Sequence, residues 1–292
     1  MSSCRPRLLR RFTFALCITA LSAAGCKRDN PSPARDAAPT RVAKAVIIIH
    51  GVGNQAAGYS QGFQDGLRAG IKDLHFIEVL WSDLGSMLRQ APAASAKEQE
   101  AAEQEMLAEI AAAEQRAMAS RNPAQDEAEL RNEYAAARGF VGPIVRYEFL
   151  SPAERGRIQQ RLRDALDWAG KNADQTYVVA HSLGSVIAFD SLHGWEGGTP
   201  PARVALLSTM GSPLTKRVFV GHRGRPVTRP PNAAAWVNFH SSTDPIASAL
   251  SGAYRDVTDQ DVRTSILPLT AHSAYWAHKD VLTELLAKLR QP

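Results

Sequence analysis

The segment Val178-Val-Ala-His-Ser-Leu-Gly-Ser185 places a serine where a β-branched run gives way to an apolar helical run, Val186-Ile-Ala-Phe189. A serine that is to act as a nucleophile must stand on a tight turn between strand and helix, in a strained backbone conformation. Small residues two before and two after it, Ala180 and Gly184, let neighbouring chains come close. The following helix turns its positive end toward Ser182, and the Leu183 amide can donate to a developing oxyanion. His181 lies within the same turn. This is a nucleophile elbow, with Ala180 where glycine is usual.

Such a serine needs a base and an acid, in the chain order serine, carboxylate, histidine. Five histidines lie downstream: His193, His222, His240, His272 and His278. His193 falls just past the elbow helix and is expected at the surface. His222 sits among Arg217, Arg223 and Arg225, a poor place for a ring that must become cationic. His240 precedes the candidate acid. His272 therefore takes the base position, at the opening of the final helix, with His278 as the fallback. Asp244, held before Pro245 in an extended or turn conformation, can accept the imidazole N–H and stabilise the imidazolium. Asp256, Asp259 and Asp261 are further candidates in what reads as a solvated polar loop.

A second glycine-bearing turn, His50-Gly51-Val52-Gly53-Asn54, ends another β-branched run. It also fits a dinucleotide-binding fingerprint, with Glu78 near the place of a ribose-binding acid. Tyr275-Trp-Ala-His-Lys279 even imitates the tyrosine–lysine pair of short-chain dehydrogenases. That pair comes too late in the chain to precede the remaining strands of such a fold, and a reductase leaves the serine elbow unexplained.

The elements that position these residues alternate in type. Strands are expected at Ala45–His50, Phe76–Leu80, Thr176–Ala180, Val204–Ser208, Ala235–Phe239 and Val262–Leu267. Helices are expected at about 56–70, 152–170 and 183–192, with a last one from Tyr275 to Leu289. The continuous apolar run Ala45-Val-Ile-Ile-Ile suits a strand buried on both faces. Strands alternating with helices imply an α/β fold of three layers, a mostly parallel central sheet with helices on both faces. One stretch, about 92–138, is rich in Ala, Glu, Gln and Arg and poor in large apolar residues. It reads as a helical insertion of one or two largely solvated helices, leaving the carboxyl edge of the sheet as a lid or as an inert addition.

These motifs together resemble the α/β-hydrolase superfamily, over most of residues 44–290. His50-Gly-Val-Gly, His181-Ser-Leu-Gly-Ser-Val-Ile-Ala-Phe-Asp190, Met210-Gly-Ser-Pro-Leu214 and Phe239-His-Ser-Ser-Thr-Asp-Pro245 are similar to lipase- and esterase-like members. A more distant likeness is to DDHD-type phospholipases. The resemblance implies a serine hydrolase of carboxylic esters, either lipids or small acyl esters, with Ser182, Asp244 and His272 as triad. It places the second oxyanion donor at Val52, with Gly51 the near alternative, in a loop shaped by His50 and Gly53. No metal or organic cofactor is required. Acyl transfer or amide hydrolysis by the same triad, or a silent binding protein of this fold, are the alternatives.

Composition sets the remaining bounds. The chain has 292 residues, 45% hydrophobic and 22% charged, with a formal charge of +5. Arg5, Arg7, Arg10 and Arg11 supply four of those charges, so the remainder is close to neutral and carries no footprint for nucleic acid. Residues 1–25 read as a signal peptide, an arginine-rich start followed by an apolar run too short for a permanent span. Its end, Leu21-Ser-Ala-Ala-Gly-Cys26, resembles the lipobox of bacterial lipoproteins, departing at Ala23, where leucine is usual. The likeness implies acylation of Cys26 and a membrane-anchored lipoprotein of the bacterial cell envelope, facing the periplasm. Residues 26–43 then form a proline-rich tether, and 44–292 the domain. With Cys4 and Cys17 inside the signal, no cysteine remains downstream for a disulfide.

Overall fold

A computed structural model describes residues 41–89, 95–194 and 202–291. The signal peptide, Cys26 and most of the tether lie outside the described residues, as do 90–94 at the start of the insertion. Six strands form one sheet: β1 (Val42–Ile49), β2 (Leu74–Val79), β3 (Ala173–His181), β4 (Leu206–Met210), β5 (Trp236–His240) and β6 (Thr258–Asp261). Their order is β2-β1-β3-β4-β5-β6, and every neighbouring pair is parallel. The expected sheet was mostly parallel; among the described residues it is wholly so. β1 also begins inside the expected tether, at Val42.

Alternation along β1 and β3 divides the core. Ala45, Ile47, Ile49, Val178 and Ala180 face one side, with Val46, Ile48, Tyr177 and Val179 on the other. The first face is covered by α5 (Pro152–Asn172) and α6 (Leu183–His193), the second by α1 (Gln61–Gly70) and α8 (Lys279–Leu289). Strands apolar on both faces are what a sheet between two helical layers demands. α5 starts sharply because Ser151 and Glu154 form a reciprocal capping box with Pro152 in the first turn. α6 stops at Gly194, which takes the left-handed conformation at φ 63°.

The insertion is more firmly attached than its composition suggests. It comprises α2 (Ala96–Ala119) and α3 (Glu127–Arg138), followed by α4 (Val141–Phe149), a helix the sequence reading did not anticipate. Met106 and Ile110 on α2, and Leu130 and Tyr134 on α3, are buried at helical spacing in the first core cluster, and Ala137 is buried on the same helix. Few apolar residues suffice when they fall on one stripe. α4 carries buried Val141, Ile144, Val145, Tyr147 and Phe149.

Below α4 lies a dry group of charges. Arg225 donates from Nε to Asp190 Oδ1 at 2.9 Å and from Nη2 to Glu148 Oε2 at 2.5 Å, with all three side chains fully buried. Burial disfavours the charge on Arg225, but Asp190 and Glu148 outweigh it and hold the guanidinium protonated. His222, set aside as a base because of the arginines around it, bonds Glu148 through Nδ1 at 2.9 Å. His193 is half-buried rather than superficial, and its Nε2 donates to the Thr228 carbonyl.

Two elements near the C-terminus depart from expectation. Val262–Leu267 is not a strand; the sixth strand is Thr258–Asp261, within the segment read as a loop. It is an edge strand with no fully buried residue, so its pairing comes from backbone hydrogen bonds and leaves no apolar signal. Asp259 is no solvated loop residue either: its carboxylate accepts from the Leu250 and Ser251 amides and from Asn238. The last helix, expected from Tyr275, begins only at Lys279 (α8); Ala274–Ala277 is a short 3₁₀ turn, and a separate helix, α7 (Pro268–Ser273), precedes it.

Candidate active site

Parallel strands send their carboxyl ends to one edge, and four chain crossings there meet. Ser182 follows β3 directly, with φ 54° and ψ −130°. Its amide donates to the Met210 carbonyl at 2.9 Å, while Ser185 bonds back to the Ser182 carbonyl through both amide and hydroxyl. The turn is thereby fixed at both ends. Its glycines are explained by contact. A Cβ on Gly184 would lie 2.4 Å from the His50 carbonyl oxygen, and one on Gly51 would lie 2.5 Å from the Ser182 Cβ. Ala180, in the place of the usual first glycine, is completely buried and its methyl is accommodated in the core.

His272 closes the arrangement from the last turn of α7 rather than from the start of the final helix. Its Nε2 accepts from the Ser182 hydroxyl at 2.9 Å, and its Nδ1 donates to Asp244 Oδ2 at 2.9 Å. All three side chains are almost completely buried. Asp244 sits on the loop after β5, and its Oδ1 accepts from the Ile246 amide at 3.0 Å and more weakly from Ala247. Burial pushes the Asp244 carboxyl up. The His272 ring, the Ile246 amide and the Tyr275 hydroxyl overcome that and hold it below the usual aspartate range. The fallback base, His278, instead caps α8 through its side chain.

Three supporting residues complete the frame. Tyr275 donates its hydroxyl to Asp244 Oδ2 at 2.9 Å, the oxygen that also faces His272. Burial and the neighbouring Asp244 raise this phenol well above its ordinary value, so it remains a donor. His181 donates from Nε2 to the backbone carbonyl of His272 at 2.6 Å. Burial, reinforced by the adjacent His272, lowers His181 to about 3, so its ring is neutral near pH 7. Gly211, at φ 60°, passes beneath the group; a Cβ there would come within 3.2 Å of both the His181 and His272 rings.

The loop after β1 faces Ser182 from the other side. His50 stacks on Trp81 at 5.1 Å and 5°, and Trp81 Nε1 donates to the His50 carbonyl at 3.0 Å. The loop is thus pinned where Gly51 touches the serine and Val52 lines the same cavity. Leu183 N–H belongs to the first turn of α6, where amides have no acceptor within the helix. Trp81 is core, whereas Trp276 lines the cavity.

The dinucleotide alternative fails on Glu78. That carboxylate accepts from the Gly58 and Ser60 amides, from the Ser60 hydroxyl and from Gln64, which leaves it an internal brace.

Sheet order, the strand–turn–helix serine and the carboxyl-edge site define the α/β-hydrolase fold. No family model and no curated protein matches the sequence. Among solved structures the chain is similar to esterase PE8, at 12% identity and a TM-score of 0.46, covering 87% of this chain and 95% of that one. It is similar also to esterase 2 of Thermogutta terrifontis, at 11% identity and TM-score 0.40, covering 88% of each chain. A third is a protein of Xanthomonas campestris pv. campestris described as a hydrolase of the alpha/beta superfamily, at 16%, TM-score 0.36, covering 84% and 96%. Likenesses of this depth carry no argument about chemistry, which rests on the geometry of the site.

Sequence reasoning missed Tyr275 as a partner of the acid, because its spacing to Lys279 suggested another chemistry. It also missed Phe140, which follows α3 and lies 6.0 Å from the His272 ring, and Glu133, whose carboxylate accepts from the Thr270 amide at 2.9 Å. No sequence signal joins those two to partners more than 130 residues away.

Proposed function

We propose that the protein is a serine hydrolase of carboxylic esters that works through an acyl-enzyme on Ser182. The observation that carries this is the unbroken hydrogen-bond series Ser182–His272–Asp244, seated on a positive-φ turn at the carboxyl edge of the sheet. In the first step His272 takes the Ser182 proton as the oxygen attacks the ester carbonyl. The amides of Leu183 and Val52 receive the oxyanion; losing one such donor costs roughly 100- to 1,000-fold in rate. The imidazolium is stabilised by Asp244 and returns its proton to the departing alcohol. Water then enters, gives its proton to His272, and releases the acid by the same route.

Fluorophosphonate labelling and ester hydrolysis test this together. Wild type should carry the label on Ser182, Ser182→Ala should take none, and His272→Ala should lose activity by orders of magnitude. Label persisting on Ser182→Ala would place the nucleophile elsewhere. Export and lipid anchoring at Cys26 belong to the same reading, supported by the lipobox-like end of the leader. Cys26→Ser should release the protein from membranes, and undiminished membrane association would remove that part.

A further inference from the structure

Resting on the hydrolase reading above, we infer that the site accepts small, uncharged esters with acyl chains of up to about four carbons, and that Phe140 sets this limit. The cavity over Ser182 has a volume of about 250 Å³. The cavity is open to solvent on one side, so the acyl limb is what it encloses while the alcohol limb extends outward. Pockets that enclose drug-sized ligands are larger, about 300–1,000 Å³.

Its walls explain both the size and the exclusion of charge. Tyr59 and Trp276 close one side, and Leu269 of α7 another. Phe140, brought by the insertion, stands over the His272 ring. Among the described residues no lysine, arginine, aspartate or glutamate lines the cavity. A carboxylate or ammonium carried in by a substrate would lose its water and find no opposite charge. The insertion therefore determines specificity by supplying a wall, whatever else it does.

The wall is held in place. Glu133, seven residues before Phe140, accepts from the Thr270 amide and lies within reach of its hydroxyl, so the end of α3 is fastened to the helix that bears His272. The backbone that carries Phe140 is thereby tied, through α3, to a point two residues from the base.

The test is a chain-length series of p-nitrophenyl esters from acetate to decanoate, with a butyrate-length ester ending in a carboxylate. Wild type should show its highest kcat/KM at acetate to butyrate, a fall of about 100-fold by octanoate, and little turnover of the charged ester. Phe140→Ala should move the optimum two to four carbons longer, and Phe140→Trp should lower butyrate against acetate. Should Phe140→Ala fold poorly, Leu269→Ala enlarges the same cavity from another lining residue and should lengthen the preference likewise. Labelled, active enzyme with a flat profile, or with a profile unmoved in these variants, overturns the size limit alone. A wild-type optimum at octanoate or beyond does the same, since the chain would then pass Val52 into the neighbouring cavity lined by Trp81, Leu88 and Pro143. Absence of both labelling and hydrolysis overturns the hydrolase reading itself.

Discussion

The nucleophile's backbone makes a measurable claim about stability. Ser182 holds φ 54° and ψ −130°, the first central position of a type II′ turn, where a Cβ is strained. Ser182→Ala and Ser182→Gly both delete the hydroxyl and its bond to His272, so they differ only in that carbon. Strain at such a position is worth about 1–3 kcal/mol. Glycine gives back about 0.5–1 kcal/mol through the greater freedom of its unfolded chain. The glycine variant should therefore be the more stable of the pair by about 0.5–2 kcal/mol. For a domain of this size, that is roughly 1 to 8 °C in melting temperature. In ordinary helix or strand interiors the order is reversed. Thermal and urea unfolding of the two purified variants, both inactive, would measure the difference. If alanine proves equal to or more stable than glycine, the serine is not held in a strained turn and the account of the elbow is wrong.

Other expectations concern the groups around the triad. Tyr275→Phe removes one donor from the Asp244 carboxylate, a bond to a charged acceptor worth about 1.5–3 kcal/mol. Asp244 is depressed in the folded state, so its stabilisation is complete above the unfolded aspartate range and is lost as pH falls through the lower folded value. The variant raises that folded value, so its deficit against wild type should be largest near neutrality and shrink as Asp244 protonates; a deficit that grows on acidification contradicts the assignment. Arg225→Met takes the guanidinium from between Glu148 and Asp190 and should cost about 3–5 kcal/mol in urea unfolding, while replacing all three by apolar residues should recover most of it. A single variant as stable as wild type would mean the charges are not dry.

What the sequence disclosed and what it hid differ in physical kind. The β-branched runs at Ala45–Ile49 and Tyr177–Ala180 and the small residues around Ser182 report burial and close approach, both properties of residue type. Asp244 before Pro245 and His272 after the last strand were found from chain order. β6 escaped because an edge strand is held by main-chain pairing, to which Thr258, Asp259, Gln260 and Asp261 contribute no apolar pattern. The insertion's docking escaped because its stripe is thin, and because Glu133 and Phe140 act on partners distant in the chain. Tyr275 escaped because a buried phenol reads as core until its acceptor is known.

One contact joins events that are usually separate. Since the Glu133 carboxylate sits on an amide of the short helix whose last turn holds His272, lifting the helical arm to widen the entrance also withdraws an acceptor from the support of the base. The wall of the cavity and the support of the base therefore share one fastening, two residues from the ring that takes the serine's proton.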